Sequence, residues 1–78
     1  MTSEGYRVLL FNDDFHTVDE VAFQLVKALR CALDMAAAIM LRAHHNGKAT
    51  VTITSRSEAE RIAGVLREIA LIVSVDRI

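Results

Sequence analysis

The sequence predicts a single small α+β domain, in the order β-α-α-β-α-β, with a three-stranded antiparallel sheet packed against three helices. Three observations predict it. The run Tyr6 to Phe11 is almost wholly apolar, with aromatic and branched residues, and breaks at the polar triplet Asn12-Asp13-Asp14. Apolar residues then recur at helical spacing in three stretches. Between the second and third of these, Ala49 to Thr54 alternates Val51 and Ile53 with threonines.

Tyr6 to Phe11 reads as a buried strand that enters a polar loop. Thr17-Val18-Asp19-Glu20 is a capping box, in which the hydroxyl caps a backbone N–H and the Glu side chain reaches back. Val18, Val21, Ala22, Leu25 and Leu29 carry the first helix to about Arg30. Asp34 is placed to cap a second helix, from about Met35 to His45, and Gly47 to end it in a left-handed conformation. So short a connection makes the two helices a hairpin. Ala49 to Thr54 is a strand with one exposed face. Ser55 and Ser57 each precede a Glu by three residues, giving two overlapping capping signals for a third helix. Its inner face is Ala59, Ile62, Leu66 and Ile69, and Leu71 to Val75 closes the sheet.

With 78 residues there is room for one core. Apolar residues form 53% of the chain, which excludes a disordered tail. Lys and Arg number 9 against 10 Asp and Glu, and no basic run exists. Neither a nucleic-acid surface nor a membrane-surface patch is therefore expected. No apolar stretch approaches the ~20 residues that span a bilayer. Cys31 is alone and no secretory signal precedes the first strand, so the expected setting is the reducing cytoplasm. Residues 1–5 are expected to be a short flexible arm, and 6–78 the folded domain.

Two polar groups stand out: Asn12-Asp13-Asp14 after the first strand, and His44-His45 at the end of the second helix. Taken singly, each has a plain structural account. Asn and Asp at a strand end are turn and capping residues, and a His near a helix C-terminus complements the dipole. Together, with an apolar cavity between the two helices, they make a different chemistry available. Asn and Asp oxygens and a neutral imidazole nitrogen are all acceptors for an ammonium group.

The stretch Tyr6-Arg7-Val8-Leu9-Leu10-Phe11-Asn12-Asp13-Asp14-Phe15 resembles the opening strand and Asn-Asp-Asp loop of the ClpS family of Clp protease adaptors. Met40-Leu41-Arg42-Ala43-His44-His45-Asn46-Gly47-Lys48-Ala49 resembles the family's second signature, a Met-Leu-x-x-His run closed by Gly-Lys-Ala. The spacing between the blocks and the β-α-α-β-α-β order match as well. The resemblance covers roughly residues 6 to 55 and loosens over the third helix and last strand.

The resemblance implies a non-enzymatic adaptor that binds the free α-amino group and large hydrophobic side chain of N-degron polypeptides, without a cofactor or metal. It implies an amine site of Asn12, Asp14 and His44, with Asp13 adding negative potential. It implies a side-chain pocket of Val18, Val21, Met40, Ala43 and Leu71, with plain core packing as the competing account of each. His16 and Thr17 fall on the rim. There His16 would contact the ligand's second residue or simply be a loop histidine in solvent; His45 points elsewhere. The implied partners are polypeptides beginning with Phe, Leu, Tyr or Trp and a Clp AAA+ unfoldase of the ClpA or ClpC type, with the adaptor a monomer.

Three departures from the family pattern bear on that expectation. Val18 stands where a Met gate is common, and Ala43 where Val is often found, which implies a roomier pocket admitting Ile or Val. The arm before Tyr6 is far shorter than the family's flexible extension. Arg61 lies near the family's unfoldase contact, but the alignment slips there and the role is not carried over.

Three rival readings remain open at this stage. A metal-dependent hydrolase built on Asp13, Asp14 and His44 lacks an i, i+4 ligand pair and an evident acid to orient the ligating His. Cys31 as a nucleophile has no His or acid placed to activate it. An interaction module of similar fold, like the C-terminal domain of the bacterial ribosomal stalk protein, would have no need of Asn12 and His44 in register.

Overall fold

Strand β1 (Tyr6–Phe11) is the middle of the sheet, flanked by β2 (Lys48–Thr54) and β3 (Val73–Arg77), both antiparallel to it. The computed structural model describes residues 5–78, so the expected N-terminal arm lies, apart from Gly5, outside the described residues. Pairing on both sides explains why β1 reads as a nearly continuous apolar run. Val8 and Leu10 point into the core and are almost fully buried.

Helix α1 (Val18–Leu29) starts where the capping box predicts. Thr17 Oγ1 accepts from the Glu20 N–H at 3.1 Å, and Glu20 Oε1 accepts from the Thr17 N–H at 2.8 Å. The helix ends at Arg30 in the left-handed region, φ 55°. Helix α2 (Leu33–Asn46) begins two residues before the expected start, and Asp34 is not its cap. The left-handed turn at Arg30 leaves only Cys31 and an extended Ala32 before the first helical residue. Ala32 therefore takes the cap position without a side-chain bond. Asp34 sits in the first turn instead, where a carboxylate favours the helix dipole. Gly47 ends α2 at φ 86°, as expected.

The alternation in β2 does not run through. Opposite Val8 and Leu9 stand Thr52 and Thr50, so Val51 is the extra residue of a β-bulge. The bulge resets the face alternation. Ala49 and Val51 are buried, whereas Ile53 is turned out to solvent at 56% exposure.

Helix α3 (Arg56–Arg67) is capped by Ser55, whose hydroxyl accepts from the Glu58 N–H at 3.3 Å. Ala59, Ile62 and Leu66 are buried as predicted, and Ile69 is half-buried against the core. Helix α3 lies across all three strands, α2 covers β2, and α1 packs on both helices. One core cluster results, with Leu25, Leu66, Val8 and Leu10 its largest fully buried side chains. Each such side chain contributes about 1.5–3 kcal/mol.

Strand β3 starts at Val73 rather than Leu71. The intervening residues form a left-handed turn: Ala70 has φ 63°, its N–H donates to the Arg67 carbonyl, and the Leu71 N–H donates to that of Leu66. This is a Schellman arrangement with Ala where Gly is usual. It drives Leu71 inward, to 4% exposure, next to Leu66 in the core cluster.

Candidate functional site

The loop 12–17 leaves the centre of the sheet and crosses the open end of the α1–α2 hairpin. Its shape is set by Asp13. Asp13 Oδ1 accepts from the Phe15 N–H at 2.8 Å and from the His16 N–H at 2.9 Å, and this folds the loop back on itself. The loop is tied down at its root, where the Asn12 N–H donates to the Gly47 carbonyl at 2.9 Å.

Beneath the loop is a cavity of about 230 Å³. This is smaller than the roughly 300–1,000 Å³ of clefts that hold drug-sized ligands. From α1 it receives Val18 and Val21, three residues apart on one face, and from α2 Met40, Ala43 and His44, likewise on one face. Leu71 closes it from the α3–β3 turn. All eleven residues singled out from the sequence line this one cavity: Asn12, Asp13, Asp14, His16, Thr17, Val18, Val21, Met40, Ala43, His44 and Leu71. Leu10 and Phe11 also line it and were not anticipated, because their alternation in β1 marked them only as core and sheet residues. His45 is exposed and does not line it.

Polar and apolar groups are sorted within the cavity. Ala43 and Leu71 are buried at its floor, and Val18 stands half-exposed at its mouth. The side chains of Asn12, Asp14 and His44 make no hydrogen bond among the described residues, apart from a ring contact of His44 with His45. Their acceptor capacity is open to a ligand. Thr17 is different, since its hydroxyl caps α1.

Asp13 and His16 are also committed to the protein. Asp13 Oδ2 lies 2.8 Å from His16 Nδ1, and the other ring nitrogen, Nε2, bonds the Ile69 carbonyl at the end of α3. A carboxylate and a carbonyl are both acceptors, so meeting both requires a proton on each ring nitrogen. The Ile69 carbonyl and then the Asp13 carboxylate raise the His16 pKa above its usual value. Burial pushes the Asp13 carboxyl up, but the backbone N–H groups of His16 and Phe15 and the His16 ring outweigh it and hold the pKa below the ordinary range. The solvent reading of His16 is therefore wrong. The turn made by Asp13 swings the ring inward, against the carbonyl end of α3. Asp13 lines the cavity, but its carboxylate is engaged by the His16 ring, leaving Asp14 as the carboxylate of the loop with no ion-pair partner among the described residues.

Arg61, considered at the sequence level for an outside contact, is engaged within the fold. Its guanidinium donates to Glu58 Oε2 at 2.6 Å and to the Ala28 carbonyl at 2.8 Å, closing the C-terminus of α1. Among the described residues, no three His, Cys, Asp or Glu side chains converge as metal ligands. Nor is any described helix long and apolar enough to cross a membrane.

The sequence model of the family described as "ATP-dependent Clp protease adaptor protein ClpS" matches residues 1–71. An ATP-dependent Clp protease adapter protein ClpS from Bartonella quintana (strain Toulouse) is 40% identical over 65 residues, covering 83% of this chain and 59% of the relative. The chloroplastic adapter CLPS1 of Arabidopsis thaliana is 38% identical over 72 residues, covering 91% of this chain and 45% of the relative. The chain thus spans about half the length of these curated relatives. Among solved structures, Agrobacterium tumefaciens ClpS2 bound to L-phenylalaninamide superposes with a TM-score of 0.91 at 25% identity, covering 99% of this chain and 100% of that one.

Proposed function

Because the chain belongs to the ClpS family of non-catalytic Clp protease adaptors, we propose that its cavity captures the N-terminal residue of other polypeptides. The observation that carries this reading is the pairing of three unpartnered acceptors, Asn12, Asp14 and His44, with an apolar cavity directly beneath them. An ammonium group donates three hydrogen bonds and carries one positive charge. The rim supplies matching acceptors and one uncompensated carboxylate. Each hydrogen bond to the charged amine contributes about 1.5–3 kcal/mol. L-Phenylalaninamide, the ligand of the Agrobacterium tumefaciens neighbour, has this chemistry: a free α-amine beside a large apolar side chain.

The favoured guests begin with Phe, Leu, Tyr or Trp. Val18 at the mouth is short and Ala43 on the floor is small, so Ile and Val are admitted as well. Asn12, Asp14 and His44 hold the amine, and Val18, Val21, Met40, Ala43 and Leu71 enclose the side chain. The captured polypeptide is passed to a Clp AAA+ unfoldase of the ClpA or ClpC type in the cytoplasm, with the adaptor acting as a monomer and needing no cofactor.

The test is fluorescence anisotropy with labelled peptides beginning with Phe, Leu, Ile and Gly, and an N-acetylated Phe control. Micromolar binding, about 8 kcal/mol, is expected for Phe and Leu and should vanish on acetylation. Equal binding of free and acetylated Phe would instead favour an interaction module that ignores the amine.

A further inference from the structure

His16 joins three parts of the cavity that the chain supplies separately. Its Nδ1 meets Asp13, the residue that shapes the loop carrying Asn12 and Asp14. Its Nε2 meets the Ile69 carbonyl, two residues before the floor residue Leu71. Its side chain lines the cavity wall between them. The Schellman turn satisfies the Leu66 and Arg67 carbonyls from its own backbone, through Leu71 and Ala70. The Ile69 carbonyl has His16 as its partner, and a cation suits the carbonyl end of a helix.

From this geometry we infer that His16 is a positioning residue of the cavity. As an imidazolium it locks the amine loop to the turn that carries the floor, so the proton on its ring is coupled to ligand capture. This goes further than the proposed capture of N-terminal residues and, for the affinity part, rests on it. A neutral ring has one N–H and must release either Asp13 or Ile69. Releasing Ile69 frees the floor turn, where Ala70 already holds a left-handed conformation that L-residues avoid. Releasing Asp13 cuts the tie between the ring and the residue that shapes the loop carrying Asn12 and Asp14.

The groups facing His16 favour the charged ring. Asp13 from the loop and Glu20 from α1 act on the ring directly, while Asp14 and, from α2, His44 line the same cavity. From the α3–β3 turn the partner is the backbone carbonyl of Ile69. Glu68, one residue earlier, is committed to Lys27 at 2.9 Å. Both hydrogen-bond partners raise the pKa of the ring, so the lock is complete below the ordinary histidine pKa and is lost as pH rises through the raised value.

Two measurements test the inference on the whole chain. The first is ligand-free: the ¹⁵N-histidine NMR spectrum followed from about pH 5 to pH 9. His16 should carry protons on both nitrogens at neutral pH and titrate above the ordinary histidine value. The Leu71 and Phe15 amides should follow with the same midpoint, and Asp13→Asn should move that midpoint down. A His16 midpoint at or below the ordinary value, or floor amides indifferent to it, would overturn the lock.

The second is the ratio of wild-type to His16→Gln affinity for a Phe-initiated peptide, in which pH effects common to both proteins cancel. That ratio should be about five- to tenfold near neutral pH and approach one at high pH, as expected for losing one charge-assisted hydrogen bond. A ratio that stays constant with pH would mean a purely structural role and overturn the coupling. Failure of the wild type to distinguish free from acetylated Phe would instead remove the capture reading and leave the NMR titration to decide the lock.

Discussion

The backbone N–H of Asn12 donates to the carbonyl of Gly47, which joins the polar loop after β1 to the last turn of α2 at a single corner. Asn12 and His44 hang from either side of it. Gly47 holds φ 86°, and a Cβ there would meet nothing within 4 Å. Gly47→Ala therefore tests the backbone alone. The left-handed penalty of about 1–2 kcal/mol, reduced by the lower entropy of the unfolded chain, should leave a net loss near ~1 kcal/mol in denaturant unfolding. Affinity for a Phe-initiated peptide should fall with it.

The rim acceptors should separate binding from stability. Asn12 makes no side-chain hydrogen bond among the described residues and is exposed, so Asn12→Ala should change folding stability by less than ~0.5 kcal/mol. The same change should weaken peptide binding by roughly tenfold or more, the equivalent of one hydrogen bond to a charged partner. Comparable losses in stability and in binding would place Asn12 in the scaffold instead.

Two opposite small-residue exchanges on α3 and its turn should both stabilise the fold. Gly64 lies inside α3 with open space where its Cβ would be, so Gly64→Ala should gain about 0.5–1 kcal/mol. Ala70 is exposed at φ 63°, and Ala70→Gly should relieve its strain for a similar gain of up to ~1 kcal/mol. Urea midpoints of the two variants, and of the double mutant, check both the signs and the additivity.

The gate can be tested by restoring a longer side chain. Val18→Met should lower affinity for peptides starting with Ile or Val several-fold more than for those starting with Phe, since a β-branched guest leaves the gate no room. The readout is the Ile-to-Phe affinity ratio by anisotropy. An unchanged ratio would remove Val18 from selectivity.

The Asp13–His16 pair gives stability a defined pH shape. The depressed Asp13 contributes fully above its unfolded value of roughly 3.9, and its share is lost as pH falls through the lower folded value. The elevated His16 contributes fully below its unfolded value of roughly 6.5, and its share is lost as pH rises through the higher folded value. The stability difference between wild type and Asp13→Asn should thus be greatest between those limits and shrink on both sides. Thermal unfolding of the two proteins across pH reads it directly.

Much of this fold was written in short-range signals. The capping box at Thr17, the left-handed Gly47 and the 3.6-residue rows of α1 and α3 act within a turn or two of chain, and each appears where the pattern put it. The grouping of the cavity residues came from the resemblance of two sequence blocks in register to the ClpS pattern, and the helical spacing of Val18 with Val21 and of Met40 with His44 agrees with it. What escaped were features set by distant partners. The start of α2 depends on a left-handed Arg30 that no Gly announces. The outward turn of Ile53 depends on a bulge fixed by β1. The inward swing of His16 needs a carbonyl 53 residues away, and no local pattern foretells it.

The central position of β1 has a kinetic consequence. The strand that roots the polar loop is paired along both edges, so freeing it costs the pairing of the whole sheet, and a guest would meet a cavity already formed. A preformed site skips the slow ordering step, and encounter can proceed at a typical ~10⁶ M⁻¹s⁻¹. At the micromolar affinity expected, a guest would then leave in about a second, a dwell set by the shallow reach of one residue.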